Sequence, residues 1–205
     1  MRDRLAHIQG VPCSGEHVRR IPNIFLVGAM KSFTTSVAAS FQYHPDTFLP
    51  AIKEPNFFAT DLFQDTDPIL RWTQHGFANI SRTRPLSRYL SLYRKAPVAA
   101  KYLVDASTSY LYSHEAARNI HSFNSDAKII ILLRDPVLRA WSEYKMNQAI
   151  GLETETFRSA IDRELDQLSR RRLNPYKRYV RAGLYAEQVE RYLGRFSPEN
   201  TLLCV

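Results

Sequence analysis

Pro22-Asn-Ile-Phe-Leu-Val-Gly-Ala-Met-Lys-Ser-Phe-Thr-Thr-Ser36 is the stretch from which the fold can be read. Ile24 to Val27 is a continuous apolar run of the kind carried by a strand covered on both faces, and Gly28 marks where the backbone turns. Ser32, Thr34, Thr35 and Ser36 suit a helix N-terminus, where free backbone N–H groups and the positive end of the dipole favour an anion. Lys31 adds a full charge. A strand, a polar loop and a helix in this order predict an anion site at a strand end, and phosphate is the simplest ligand.

The order of residues narrows the kind of phosphate loop. The nucleoside-triphosphate loop reads G-x-x-x-x-G-K-[ST] and the dinucleotide fingerprint G-x-G-x-x-G, and neither is present. Lys31-Ser-Phe-Thr-Thr35 instead resembles the 5′-phosphosulfate loop of sulfotransferases that use 3′-phosphoadenosine 5′-phosphosulfate (PAPS), usually written K-S-G-T-T. Phe33 stands where that family has glycine. A small residue there lets the backbone approach a phosphate, and if the position needs positive φ a phenylalanine also adds strain. The expectation is weak donor binding.

Three further segments, and the R-x-G-x-Y motif after them, extend the resemblance to residues 22–205. Lys53-Glu-Pro-Asn-Phe-Phe58 resembles the family's K-E-P-H-F-F, with Asn56 in place of histidine. A Lys-Glu-Pro sequence sits badly inside a helix, and two adjacent phenylalanines demand burial, so Glu54 is expected beside an apolar wall that raises its pKa. Asp105-Ala-Ser-Thr-Ser-Tyr-Leu111 resembles D-A-S-P-S-Y-L; helix capping for Ser107 and a core position for Tyr110 are the readings to expect from residue type. Lys128-Ile-Ile-Ile-Leu-Leu133 reads as a strand central to a parallel sheet. Arg134-Asp-Pro136 follows, with the proline opening a helix from about Val137 to Gln148. This R-D-P-x-x-R-A-x-S-x-Y unit resembles the family's 3′-phosphate segment, which maps the gripping residues to Arg134 and Ser142. Taken alone, Arg134 could simply pair with Asp135.

The rest of the chain predicts scaffold. Residues 1–20 read as an irregular arm and 21–205 as one α/β domain. Tyr102–Asp105 and Thr201–Val205 read as strands, and Ser113 is expected to cap a helix ending near Phe123. Glu153 to Arg172 is a charged helix with Phe157, Ile161, Leu165 and Leu168 on its apolar face. Leu184 to Phe196 is a helix with Val189, Tyr192 and Leu193 core-like, and Arg181-Ala-Gly183-Leu-Tyr185 before it resembles the family's R-x-G-x-Y. Between Asp61 and Pro97, Trp72 and Phe77 show no clear period. Arg82, Arg84, Arg88, Arg94 and Lys95 there form a loose basic cluster that could meet an anionic acceptor, though a solvated helix face is the reading to prefer. Family members continue with a basic, Gly-containing loop beyond the point matching Val205, so the domain is expected to be C-terminally incomplete and weakly active alone.

Composition sets the outer bounds. The 205 residues are 44% hydrophobic and 23% charged, with a formal net charge of +8 that favours anionic ligands. Cys13 and Cys204 form neither a disulfide framework nor a metal-ligand spacing. No apolar run is long enough to span a bilayer, and the chain is expected to be cytoplasmic.

These readings predict a three-layer, P-loop-like α/β fold with a central parallel sheet flanked by helices. The resemblance implies sulfuryl transfer from PAPS to a hydroxyl or amine acceptor, such as a glycan, with no metal and no nucleic-acid partner. It assigns Lys31 and Glu54 to catalysis, and Lys31, Ser32, Phe33, Thr34, Thr35, Ser36, Arg134 and Ser142 to the donor. Two alternatives remain open: a nucleotide- or polyanion-binding module without catalysis, and a nucleoside-phosphate kinase or NTPase.

Overall fold

A computed structural model describes residues 20–62, 85–167 and 177–205. The N-terminal arm up to residue 19, Trp72, Phe77, Arg82, Arg84, Leu168 and the expected helical residues to Arg172 lie outside them. The first strand, β1, spans Ile24–Gly28 and is buried along its whole length. It leads through the loop 29–33 into helix α1, Thr34–Tyr43, which stops before Pro45 as expected from the restriction proline imposes on its neighbours. Then come β2 (Thr47–Phe48), α2 (Leu86–Ser91), β3 (Tyr102–Ala106), α3 (Ala116–Phe123) and β4 (Lys128–Leu132). Helices α4 (Pro136–Ala149), α5 (Phe157–Gln167) and α6 (Tyr185–Leu193) precede β5 (Thr201–Cys204).

All four strand pairings are parallel, in the order β2-β3-β1-β4-β5. Ile24 lies opposite Val104 on one side and Lys128 on the other. The middle of the sheet therefore belongs to β1. The run Ile129 to Leu133, expected at the centre, sits one position out and leaves Ile130 and Leu132 only half-buried. Alternation along β1 builds the three layers. Phe25 and Val27 join Leu103, Ile129 and Ile131 in a core closed by Ile120 of α3 and by Val189 and Tyr192 of α6. Leu26 faces the other way, against Ala38 of α1 and Ala106.

The ends of the elements show which local signals were obeyed. Asp135 accepts a hydrogen bond from the Leu138 N–H at 2.8 Å and caps α4, with Pro136 in its first turn, so the carboxylate serves the helix and not Arg134. Ser113 Oγ accepts from the Ala116 N–H at 3.0 Å at the start of α3. Tyr110 is a core tyrosine, fully buried. Two apolar faces were drawn too wide. Leu165 on α5 and Leu193 on α6 are exposed, because Ala160 and Glu164 carry the buried face of α5, and Gln188, Val189 and Tyr192 that of α6. Helix α5 begins only at Phe157, which leaves Glu153 in the preceding turn. Among the described residues no helix is long and apolar enough to cross a membrane.

Candidate active site

The loops that carry the motifs all leave the carboxyl ends of neighbouring strands, where an open parallel sheet forms its ligand crevice. The loop after β1 is pressed tightly against the loop after β3. A Cβ at Gly28, whose φ is +150°, would meet Leu111 Cβ at 2.7 Å and the Thr108 carbonyl oxygen at 3.0 Å, so only glycine fits. The Leu111 N–H donates to the Val27 carbonyl at 2.7 Å and seals the contact.

Beyond Gly28 the backbone takes left-handed conformations at Lys31 (φ 69°) and Phe33 (φ 58°). Phe33 thus occupies the type of position for which glycine is suited, at a strain of about 1 kcal/mol or more. It is also the residue that precedes α1, which gets no side-chain cap from it. The N–H groups of Thr34 and Thr35 come before the first intrahelical bonds, the position at which a helix start can bond a ligand or water. Ser32 Oγ is buried beside the Tyr185 hydroxyl, and a hydroxyl there suits a hydrogen bond to an anion. Thr34 is buried, whereas Thr35 and Ser36 are exposed. The hydroxyls thus do not cap the helix, and their roles are divided by burial.

Arg134 is brought against this loop from the end of β4. Its Nη1 donates to the Lys31 carbonyl oxygen at 3.0 Å, and its guanidinium lies 5.4 Å from the centroid of the Phe33 ring. Its own carbonyl oxygen accepts from Tyr185 Oη at 3.1 Å. A Cβ at Gly183, in the same R-x-G-x-Y segment, would lie 2.9 Å from Pro136 Cβ. That segment therefore holds the end of β4 in place. Ser142 lies on α4, half-buried, and its hydroxyl makes no hydrogen bond among the described residues.

Glu54 is positioned by a chain of hydrogen bonds rooted in the sheet. Asp105, fully buried, accepts from Tyr89 Oη at 2.7 Å, Tyr110 Oη at 2.9 Å and Ser107 Oγ at 2.7 Å. Burial still pushes its carboxyl up to about 6 against those three donors. Ser107 Oγ in turn accepts from the Asn56 N–H at 3.0 Å, and Asn56 Nδ2 donates to the Glu54 carbonyl oxygen at 2.8 Å. Ser107 therefore braces the loop instead of capping a helix. Asn56 is fully buried at φ 52°, a conformation that asparagine tolerates well. Phe58 packs edge-on to Phe25 at 5.7 Å, and Phe57 stacks on Tyr89 at 4.5 Å, which supplies the apolar wall. Glu54 itself sits at φ 54°. Burial raises its carboxyl above the ordinary glutamate range, opposed by Lys53 at 3.9 Å and by a hydrogen bond from Thr108 Oγ1 at 3.3 Å.

Lys53 joins the two halves. Its Nζ donates to Thr35 Oγ1 at 2.8 Å while lying 3.9 Å from Glu54 Oε1. Lys31 Nζ lies 3.6 Å from Met146 Sδ on α4. Residue types alone had not singled out Lys53, Asn56, Thr108, Gly183 or Tyr185 for a role at the site; the motifs they belong to were the available signal. Of the basic cluster, Arg88, Arg94 and Lys95 are exposed on and after α2. Among the described residues no three His, Cys, Asp or Glu side chains gather as a metal site.

Comparison with known proteins gives a consistent result. A family model described as sulfotransferase family matches residues 22–193. A crystal structure of a sulfotransferase from Alicyclobacillus acidocaldarius superposes with a TM-score of 0.78 at 33% identity, covering 90% of this chain and 73% of that one. Human heparan sulfate glucosamine 3-O-sulfotransferase 6 is 28% identical over 200 residues, 96% of this chain and 50% of its own length. Mouse carbohydrate sulfotransferase 15 is 22% identical over 240 residues, 97% of this chain and 42% of its own length. The chain thus spans about half the length, or less, of these two relatives.

Proposed function

Because the chain belongs to the sulfotransferase family, we propose that it moves a sulfuryl group from PAPS to a hydroxyl or amine acceptor by in-line displacement. One observation carries this reading. Lys53 bridges the anion loop and the carboxylate, touching Thr35 Oγ1 and Glu54 together, so a donor bound on the loop lies beside a group able to take a proton.

The residues present fit the donor. The N–H groups of Thr34 and Thr35 and the buried hydroxyl of Ser32 offer hydrogen bonds to a 5′-phosphate at a helix N-terminus. Thr34 and Ser36 complete that rim. Arg134 and Ser142 would serve the 3′-phosphate, with Arg134 first giving up its contact with Phe33. PAPS, when bound, supplies both the sulfuryl group and its leaving group. Glu54 takes the acceptor proton as the new O–S or N–S bond forms, and a carboxyl pushed above its ordinary range is a better base once ionised. Lys31 meets the negative charge that stays on the bisphosphate when the old S–O bond breaks. Positioning and cationic stabilisation dominate such a reaction, as they do in phosphoryl transfer.

A second reading, a nucleotide- or polyanion-binding module without catalysis, is favoured by the left-handed, Arg134-stacked Phe33. Calorimetry with adenosine 3′,5′-bisphosphate, ATP and heparin, alongside a PAPS turnover assay, separates the two. Preference for the bisphosphate together with turnover supports the transferase. Binding of heparin or ATP in preference to the bisphosphate, without turnover, supports the module.

A further inference from the structure

A pocket opens beside Glu54, and the surface it exposes is mostly apolar. Leu62, Leu111, Met146, Ile150 and Leu152 are its large aliphatic lining residues, with Thr108, Ser109, Asn147 and Gln188 among the polar ones. Met30, next to Lys31, also lines it, and Met146 is the residue that Lys31 Nζ touches, so the pocket begins where the anion loop ends. Its carboxylates are Glu54 and Glu143. Glu143 is fully buried; its Oε2 accepts from Arg139 Nη1 at 2.6 Å, and the Arg178 backbone N–H also faces the carboxylate, so this group belongs to the buried scaffold. The cation among the lining residues, Arg178, has its guanidinium 4.0 Å from the Tyr112 ring centroid.

An acceptor carrying sulfates or carboxylates would have to place anionic groups against an apolar wall and beside Glu54, where desolvation and repulsion both oppose it, while Glu143 is neutralised by Arg139. A compact apolar body gains from the same wall, and a hydroxyl on it gains from Glu54. Resting on the transferase reading above, we propose that the acceptor is a small alcohol with an apolar, ring-sized body, held by the Leu62–Leu111–Ile150–Leu152 wall with its hydroxyl at Glu54, and not a polyanionic sugar chain. In the reaction its O–H proton passes to Glu54, its oxygen bonds the sulfur, and the electron pair of the broken S–O bond leaves on the bisphosphate.

The test uses the full chain and two probes, 2-naphthol and an N-sulfated heparan oligosaccharide. Each is titrated calorimetrically with and without adenosine 3′,5′-bisphosphate, whose own binding is measured in the same series. The expected result is that 2-naphthol binds and the oligosaccharide does not. Ile150→Glu, at an exposed position after α4, should weaken 2-naphthol about tenfold and leave bisphosphate affinity as it was. Tighter binding of the oligosaccharide, no binding of 2-naphthol to a chain that does bind the bisphosphate, or an unchanged 2-naphthol affinity in Ile150→Glu overturns the proposal. Binding of 2-naphthol without any binding of the bisphosphate supports the pocket and removes the donor reading instead.

Discussion

Glu54 and Glu153 are the same residue type placed in opposite surroundings. Glu153, in the turn before α5, accepts from Arg163 Nη2 at 2.8 Å, Tyr179 Oη at 3.0 Å, Lys177 Nζ at 3.2 Å and the Thr154 N–H at 3.1 Å. Burial alone would push its carboxyl up, yet these donors pull it down to about 2. Glu54 has one lysine at 3.9 Å and one hydroxyl at 3.3 Å, and burial wins. A carboxylate that knits the scaffold is saturated with donors, whereas the one proposed to exchange a proton keeps its oxygens under-supplied. The backbones differ in the same sense: Glu54 is held at positive φ by its neighbours, as strained positions at functional sites are.

Substitution separates the two roles. Glu54→Gln keeps the shape but removes the base, so turnover should fall by about 10²–10⁴ while bisphosphate affinity and melting temperature barely move. Full activity in that variant would remove Glu54 from the mechanism. Glu153→Gln should do the reverse, costing about 2–3 kcal/mol of stability in denaturant titration, because Arg163 and Lys177 lose their shared anion. An unchanged midpoint would show that the network is ornamental.

The pH dependences should run in opposite directions. The Glu153 carboxyl is depressed on folding, so the unfolded chain binds more protons between the ordinary glutamate value and about 2. Its stabilisation is present in full above about pH 4.5 and is lost as pH falls through that window. Glu54 is raised on folding, so its ionisation draws slightly on stability as pH climbs past the ordinary value. The acidic limb of a turnover profile should accordingly lie above the ordinary glutamate pKa, and it should vanish in Glu54→Gln. A limb at the ordinary value would mean that burial does not govern this carboxyl.

Smaller effects are expected on the donor side. Arg134→Ala should weaken adenosine 3′,5′-bisphosphate about tenfold, the scale of one charge-assisted hydrogen bond, and leave AMP nearly unchanged. Equal losses for both ligands would move Arg134 away from the 3′-phosphate. The smallest change is Phe33→Gly. It relieves a left-handed phenylalanine, but it also gives up a cation–π contact of about 0.5–1 kcal/mol and makes the unfolded chain freer, so stability should hardly shift. Bisphosphate affinity should rise several-fold as the backbone opens and Arg134 is released. No gain would show that the loop already accepts the ligand with Phe33 in place.

The layers and the motif positions were legible because they rest on local signals. An apolar run followed by Gly28 makes a buried strand and a turn wherever it is placed, and Asp135-Pro136 opens a helix by capping geometry alone. The widths of the apolar faces of α5 and α6 were not legible, since Leu165 and Leu193 lie at the right spacing but at the margin of the contact surface. Burial of an edge position depends on the partner, which periodicity does not encode.

By itself, then, the order of residues determined a parallel α/β sheet with a polar, lysine-bearing loop at the end of its first strand, because strand, turn and helix signals act over a few residues. Only the tertiary structure decided what meets that loop. The strand order β2-β3-β1-β4-β5 sets β1 between β3 and β4, and so brings Thr108 to Glu54 and stacks Arg134 on a phenylalanine 101 positions earlier in the chain. Such contacts arise from strand neighbourhood in space, to which separation along the chain is no guide.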